Sequence, residues 1–310
     1  EGLSRLRARF PEALVVIEVG AHSPWVSRFL EGLGFRVLVA NSRKMRAIYQ
    51  NERKCDALDA RMLAKLARAD ASLLHPIEHG SEKAQRDLSR IKLRDNLVRQ
   101  RVDTISSVRF TLKSLGVRVG SPKTAYFARH ARRELEGEHA ELLAAVEPSL
   151  RVVEAITEQV KELERETERL AQESYPETGL LTQVAGVGTI TSLTFVLTVG
   201  DPSRFGRTRD VAAYFGLVPR RDQSGGTDKQ LRISKAGDAY MRRLLVGAAH
   251  YIMGRSGPDC RLKRYGLKLA ARGGQSAKKK AAVAVARKLA VLMLALLRDA
   301  TEYDPVREAA

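Results

Sequence analysis

Apolar and polar residues alternate in three different rhythms along this chain. Residues 13–19, ALVVIEV, form a short β-branched run interrupted by one acid, Glu18, and residues 35–41, FRVLVAN, form a second run. Runs of this length and make-up predict strands. Between them, SPWVSRFLEGLG places Ser23 at an N-cap, Pro24 at the first helical position and Gly34 at the stop, which predicts a helix. Strand–helix–strand order implies a parallel pair with a right-handed crossover. Further helices are predicted around 43–50 and 56–69, and His75-Pro76 closes this α/β region.

From 82 to 115 the rhythm becomes helical, with Ile91, Val98, Val102, Ile105, Leu112 and Leu115 at steps of three, four or seven. A second long helix is expected from about 149 to 174, with Val152, Ile156, Val160, Leu163 and Leu170 as its apolar positions. The pair predicts an antiparallel helical arm or a coiled-coil oligomerisation element. Beyond Thr178 the pattern changes again. LLTQVAGVGTITSLTFVLTVGDPSRF reads as helix, tight Gly-Val-Gly turn, helix. RDVAAYFGLV is a short helix, PRRDQSGGTDKQLRISKAG a polar loop or hairpin, and DAYMRRLLVGAAHYIM a long helix. The expected fold class is α/β plus α, in three parts: 1–80, the arm 81–176, and a mainly helical carboxyl-terminal domain, 177–310.

Composition narrows the partners. The 310 residues carry 54 Lys+Arg against 36 Asp+Glu, a net charge of +18. The isoelectric point is about 10.2. A balance this basic points to a polyanion, nucleic acid first. Two cysteines, Cys55 and Cys260, suit neither a disulfide framework nor a zinc site, which suggests a reducing, cytosolic setting. No apolar core of signal length precedes Pro11. The one membrane-like stretch, residues 281–297, is shorter than the ~20 residues of a span and holds Arg287 and Lys288 in its middle. It reads as a buried or partner-facing helix. The chain opens without Met and leads almost at once into a strand pattern, so a piece of the first domain is expected upstream.

Candidate chemistry begins with acids. Asp56 and Asp59 stand at i and i+3 on one helical face, where like charges repel unless a cation lies close. Mg²⁺ takes one or two carboxylates and leaves room for waters and phosphate oxygens. Glu18, near the carboxyl end of an apolar strand, is the third candidate. A strand acid with a helix-borne pair is a layout for two-metal phosphoryl chemistry. The plainer alternative makes Asp56 an N-cap, Asp59 a first-turn acid and Glu18 half of an ion pair.

Basic and glycine-rich stretches supply the nucleic-acid candidates. Gly186 and Gly188, between two apolar helices, resemble the hairpin of helix-hairpin-helix modules, whose amides hold a phosphate; alternatively they only close a helix connection. Lys278, Lys279 and Lys280 begin a helix against its dipole, which favours an anionic partner over a solvated cluster. Residues 261–298 carry eleven Lys or Arg and no acid. In ISKAGDAYMRR, Ser234 and Asp238 are candidate caps, and Lys235, Arg242 and Arg243 candidate phosphate contacts. Of the six histidines only His75 and His79 have metal-ligand spacing, and Pro76 between them argues against a helical pair, so none is assigned.

Two blocks carry a resemblance. VVIEVGAHSPWVSRFLEGLGFRVLVANSRKMRAIYQNERKCDALDARMLAKLAR resembles the amino-terminal domain of the DEDD transposases of bacterial insertion sequences. VAGVGTITSLTFVLTVGDPSRFGRTRDVAAYFGLVPRRDQSGGTDKQLRISKAGDAYMRRLLVGAA resembles their carboxyl-terminal transposase domain. The resemblance implies an RNase H-like (RuvC-like) first domain. Its second, third and fourth acids fall on Glu18, Asp56 and Asp59, while the aspartate of its opening strand has no counterpart in this sequence. It further implies Mg²⁺ (or Mn²⁺) as cofactor, donor and target DNA as substrates, a non-coding bridge RNA as guide, assembly as a homodimer or homotetramer, and action in the bacterial cytosol or nucleoid. Ser224, in RDQSGG, falls at the family's serine nucleophile. Gly225-Gly226 beside it allows close approach of a phosphate, and Arg220, Arg221, Lys229 and Arg232 flank it with positive charge. A serine in such a loop is otherwise a turn residue.

The reading is thus a transposase that cuts and rejoins DNA with metal-binding acids and a serine nucleophile under RNA guidance. Its alternatives are a Holliday-junction-type endonuclease using metal-activated water and a catalytically dead nucleic-acid-binding scaffold.

Overall fold

A computed structural model describes residues 2–41, 44–45, 55–120, 122–274 and 276–305. The chain divides into two compact units, Glu1–Ser81 and Glu82–Ala310.

The first unit is a small α/β layer. It contains α1 (Gly2–Arg9), β1 (Leu14–Glu18), α2 (Ser23–Gly32), β2 (Arg36–Ala40) and α3 (Asp56–Ala69), followed by a 3₁₀ turn at Ala71–Leu74. The β-branched runs pair in parallel, from Leu14 with Arg36 to Glu18 with Ala40. Ile77 adds a single antiparallel bridge to Val39. Leu63 of α3 is buried with Ala40, Met45 and Leu74, and Val16, Leu38, Met62 and Leu66 pack against them. Each leucine buried in this way stabilises by about 1.5–3 kcal/mol. The helix expected over 43–50 falls, apart from Lys44 and Met45, outside the described residues. Ser23 does not cap α2. It is the first helical residue, and its buried hydroxyl turns back to the Gly20 carbonyl (2.9 Å), with His79 Nε2 2.9 Å away.

The second unit is built on two long antiparallel helices, α4 (Glu82–Ser114) and α6 (Ala140–Ser174), with α5 (Phe127–Leu135) closing one end. The helix expected to start near 149 starts at Ala140 and runs through Pro148. Val146 and Leu150 are buried on either side of that proline and hold the turn in place. The apolar seam also differs from the expected one. Val102, Leu115 and Val152 are exposed, whereas Val108, Val146, Leu150 and Val153 are buried. The true α6 seam runs 146, 150, 153, 157, 160, 164, 167, 171 in alternating steps of four and three, and Thr157, Glu164 and Thr167 occupy it. Its α4 partner carries Asp87, Arg94 and Arg101 seven apart. Arg94 pairs with Glu164 and Arg101 donates to Thr157, so the middle of the seam is polar and sets the helix register. Thr157 and Thr167 return their hydroxyls to carbonyls four residues back, at 2.7 and 2.6 Å.

The rest of this unit comprises α7 (Thr178–Thr182), α8 (Thr189–Val199), α9 (Asp210–Tyr214), the hairpin β3 (Pro219–Ser224) and β4 (Thr227–Ile233), α10 (Ala239–Met253), α11 (Arg261–Ala270) and α12 (Ala277–Asp299). Phe195, Phe215, Leu245, Val285, Leu289 and Met293 are fully buried at the centre of their core. The apolar stretch 281–297 is the spine of that core, and among the described residues no helix is long and apolar enough to cross a membrane.

Candidate active site and nucleic-acid interface

The acids lie in the first unit. Glu18 is exposed at the carboxyl end of β1. The N-cap of α3 is Cys55, so Asp56 is a first-turn acid and not a cap. Asp56 is exposed; Asp59 is half-buried, because it shares the sheet-facing stripe with Met62, Leu63 and Leu66. Hydrophobic packing would place an apolar residue there. None of the three carboxylates has an ion-pair or hydrogen-bond partner among the described residues. No three His, Cys, Asp or Glu side chains among those residues group closely enough to hold a metal ion. What the set offers a cation is the i, i+3 pair of α3, which suits an ion keeping several waters or phosphate oxygens. Beside the β1 end, burial and then the Arg28 charge hold His79 below the usual imidazole range.

Ser224 lies in the second unit, at the tip of the β3–β4 hairpin, opposite Thr227 across the Gly225-Gly226 turn. Gly225 takes a positive φ of 54°. Every residue from Arg220 to Arg232 is exposed. The pleat sorts the expected cations. Asp222, paired with Lys229, shares the face of Ser224, whereas Arg221 lies on the other face and is bound to Asp228 at 2.6 Å. Arg220 and Arg232 are exposed. Lys235, also exposed, sits in the left-handed region at φ 55°.

The two arginines of α10 are both engaged within the unit. Arg243 pairs with Asp95 at 2.5 Å and lies over the Tyr240 ring. Arg242 donates through Nη1 to the Phe215 and Ala236 carbonyls at 2.9 and 2.8 Å.

Gly186 and Gly188 part company. A Cβ on Gly186, at φ 82°, would stand 3.0 Å from the Ala248 carbonyl and from Tyr251, so packing against α10 requires glycine there. Gly188 is the N-cap of α8, and a Cβ on it would meet nothing within 4 Å. A groove of about 570 Å³ opens beside this turn, lined by Thr182, Gly188, Thr191, Arg243, Gly247 and Tyr251. Lys278, Lys279 and Lys280 are exposed in the first turn of α12, where no acid offsets them against the dipole.

Within the basic segment 261–298, the structure sorts one row of cations that the sequence reading did not single out. Gly266 packs α11 so tightly that a Cβ would stand 2.7 Å from Val285. Arg264 and Lys268, two residues either side, therefore project about 160° away from that face, and Arg272 follows beyond the helix end. The i, i+4, i+8 spacing of these cations around a small residue was the available signal.

Comparison with known proteins places both blocks. Residues 2–116 match the DEDD transposase profile of the IS110 type. Residues 178–265 match the family described as Transposase IS116/IS110/IS902. A transposase for insertion sequence element IS1328 from Yersinia enterocolitica is 29% identical over 255 residues, covering 82% of this chain and 75% of that one. The transposase for insertion sequence element IS1111A from Coxiella burnetii is 29% identical over 305 residues, 93% and 79% of the two chains. A pilin gene-inverting protein from Moraxella lacunata is 29% identical over 126 residues, 40% and 38% of the two.

Proposed function

The chain carries both domains of the IS110/IS116 family of insertion-sequence transposases, and from that premise we propose that it breaks and rejoins DNA strands through Ser224. The observation that carries this reading is the hairpin: its tip serine is exposed and lies on the face of Lys229. In the proposed step a bond forms from Ser224 Oγ to a DNA phosphorus as the bond from that phosphorus to a sugar oxygen breaks. The hydroxyl proton ends on the departing oxygen. Attack by a different sugar hydroxyl reverses the exchange, so the number of phosphodiester bonds is conserved and no outside energy source is needed. Lys229 is placed to offset charge developing on the phosphate.

Asp56 and Asp59, with Glu18, are the residues offered to a divalent ion such as Mg²⁺, which when bound neutralises phosphate charge. A half-buried Asp59 in an apolar stripe, with no ion-pair or hydrogen-bond partner among the described residues, supports that role. Donor and target DNA meet the exposed cations of the hairpin, α11 and the start of α12. A guide RNA, assembly of two or four copies, work in the cytosol or nucleoid, and a functional division at about residues 80 and 176 complete the proposal.

The test is trapping. Supercoiled DNA carrying the element's ends, denatured after reaction, yields a covalent protein–DNA adduct with the wild-type chain and none with Ser224→Ala. An adduct persisting in that variant removes Ser224 from the chemistry. Cleavage without any adduct, in either protein, assigns the chain to water-activating junction endonucleases.

A further inference from the structure

A two-stranded hairpin exposed at every residue but the two at its root, Pro219 and Ile233, is at best marginally stable by itself. The direction in which β3–β4 points is therefore set at its root, and the root is unusually constrained. Phe215 and Leu217, just before β3, are buried in the core, with the Phe215 and Phe195 ring centroids 5.5 Å apart. The strap Ser234–Gly237, just after β4, lies directly on this segment: Ser234 N–H donates to the Val218 carbonyl at 2.9 Å and Lys235 N–H to the Gly216 carbonyl at 3.1 Å. The backbones approach so closely that a Cβ on Gly216 would stand 2.3 Å from the Ala236 nitrogen, and one on Gly237 2.0 Å from the Tyr214 carbonyl. Both glycines have positive φ, 66° and 69°.

One side chain ties the two segments together. Arg242 Nη1 donates to the Phe215 carbonyl on the incoming side and to the Ala236 carbonyl on the outgoing side. Its helix is fixed in turn by Asp238, which caps α10 through the Met241 amide at 2.8 Å and binds Lys92 of α4 at 2.9 Å.

We infer that Arg242 is a positioning residue for Ser224, clamping the root of the β3–β4 hairpin so that the serine at its tip is held on line, and is not a phosphate contact. The inference rests on the reading of Ser224 as nucleophile. The lever makes the clamp matter. Five residues of strand separate root from tip, about 17 Å, so a swing of about 10° moves Ser224 by about 3 Å. Misplacement of a reacting group by about 1 Å costs on the order of 10²-fold in rate.

The test separates the clamp from a phosphate contact. Arg242→Met keeps an unbranched, flexible stem and removes the guanidinium donors. Its adduct formation at saturating DNA is expected to fall at least about tenfold, with DNA affinity within about twofold of wild type and an unchanged salt slope. Arg242→Lys, which can again donate to both carbonyls, is expected to recover most of that rate. A flattened salt slope with lost affinity in Arg242→Met, or an unchanged adduct rate, overturns the inference. If Arg242→Met does not fold, hydrogen exchange on the wild-type chain decides: the Ser234 and Lys235 amides are expected to exchange slowly and the Gly225 and Gly226 amides fast, and fast exchange at the root overturns the clamp. Failure of the nucleophile reading has a different signature, adducts in Ser224→Ala, and leaves the exchange result standing.

Discussion

The β1–β2 pair and the β3–β4 hairpin each contain two strands, yet in the first the strands are held by side chains from above and in the second by backbone at one end. Ala40 of β2 is buried with Leu63 of α3, Val39 is buried on the opposite face of the pair, and the β-branched runs fill those layers. In the hairpin no residue between Arg220 and Arg232 is even half-buried, and order comes from Gly216, Gly237 and Arg242 at the root. In both, the residue assigned to chemistry stands at an end of the element: Glu18 closes β1 and Ser224 closes β3. A buried layer fixes its end through packing, whereas an exposed lever transmits whatever tolerance its root allows.

That contrast sets the expected sizes of effect. The largest belongs to Gly237→Ala, where both the steric clash and the positive φ oppose a side chain; a loss of about 3 kcal/mol or more is expected in denaturant titration. Gly225→Ala, at the tip with φ 54° and open space around it, should cost only about 1–2 kcal/mol. Equal losses at the two glycines would show that the root is no more constrained than the tip.

Asp238→Asn keeps a competent helix cap and removes only the ion pair with Lys92, so about 0.5–1 kcal/mol is expected, since Lys92 is nearly half exposed. Burial alone would raise the Asp238 carboxyl, but the Lys92 hydrogen bond and the Met241 amide outweigh it and leave the group below its ordinary 3.8. A depressed carboxyl contributes stability above its unfolded value and loses it as pH falls through the folded one. The wild type and Asp238→Asn should therefore differ above about pH 4 and converge below it. Parallel curves at low pH would remove the pair from the balance.

In the first unit the sign should reverse. Asp59→Leu completes the apolar stripe of α3 and relieves repulsion with Asp56, so a gain of about 0.5–1 kcal/mol is expected together with loss of metal-dependent DNA cleavage. Retained cleavage would return Asp59 to a merely helical role. Smallest of all in stability is Ser224→Ala, within about 0.5 kcal/mol by thermal melting, even though the proposed mechanism predicts complete loss of adduct. A larger change would mean that the serine supports the hairpin.

Much of this was legible in the chain. Strand runs, the glycine-bounded α2 and the buried 281–297 helix follow from local periodicity, which backbone geometry imposes on any sequence. The heptad seam of α4 and α6 was misread by one position on α6, because Arg94, Arg101, Thr157 and Glu164 take core places where apolar residues were sought. Arg242 was read as a surface cation; nothing in its neighbours along the chain reveals that two carbonyls, 27 residues before it and six before it, converge on its guanidinium.

The order of amino acids alone determined most of the strands and helices, the excess of positive charge, and which acids and which serine are candidates for chemistry, since each is a property of composition or of neighbours within a few residues. Tertiary structure alone decided which of the many cations remain open to a polyanion, why Gly186, Gly216 and Gly237 must be glycine while Gly188 need not, and where the hairpin is fastened. Those depend on distances between residues remote in the chain, and pairing a donor with an acceptor across such a gap is an outcome of packing that no local pattern encodes.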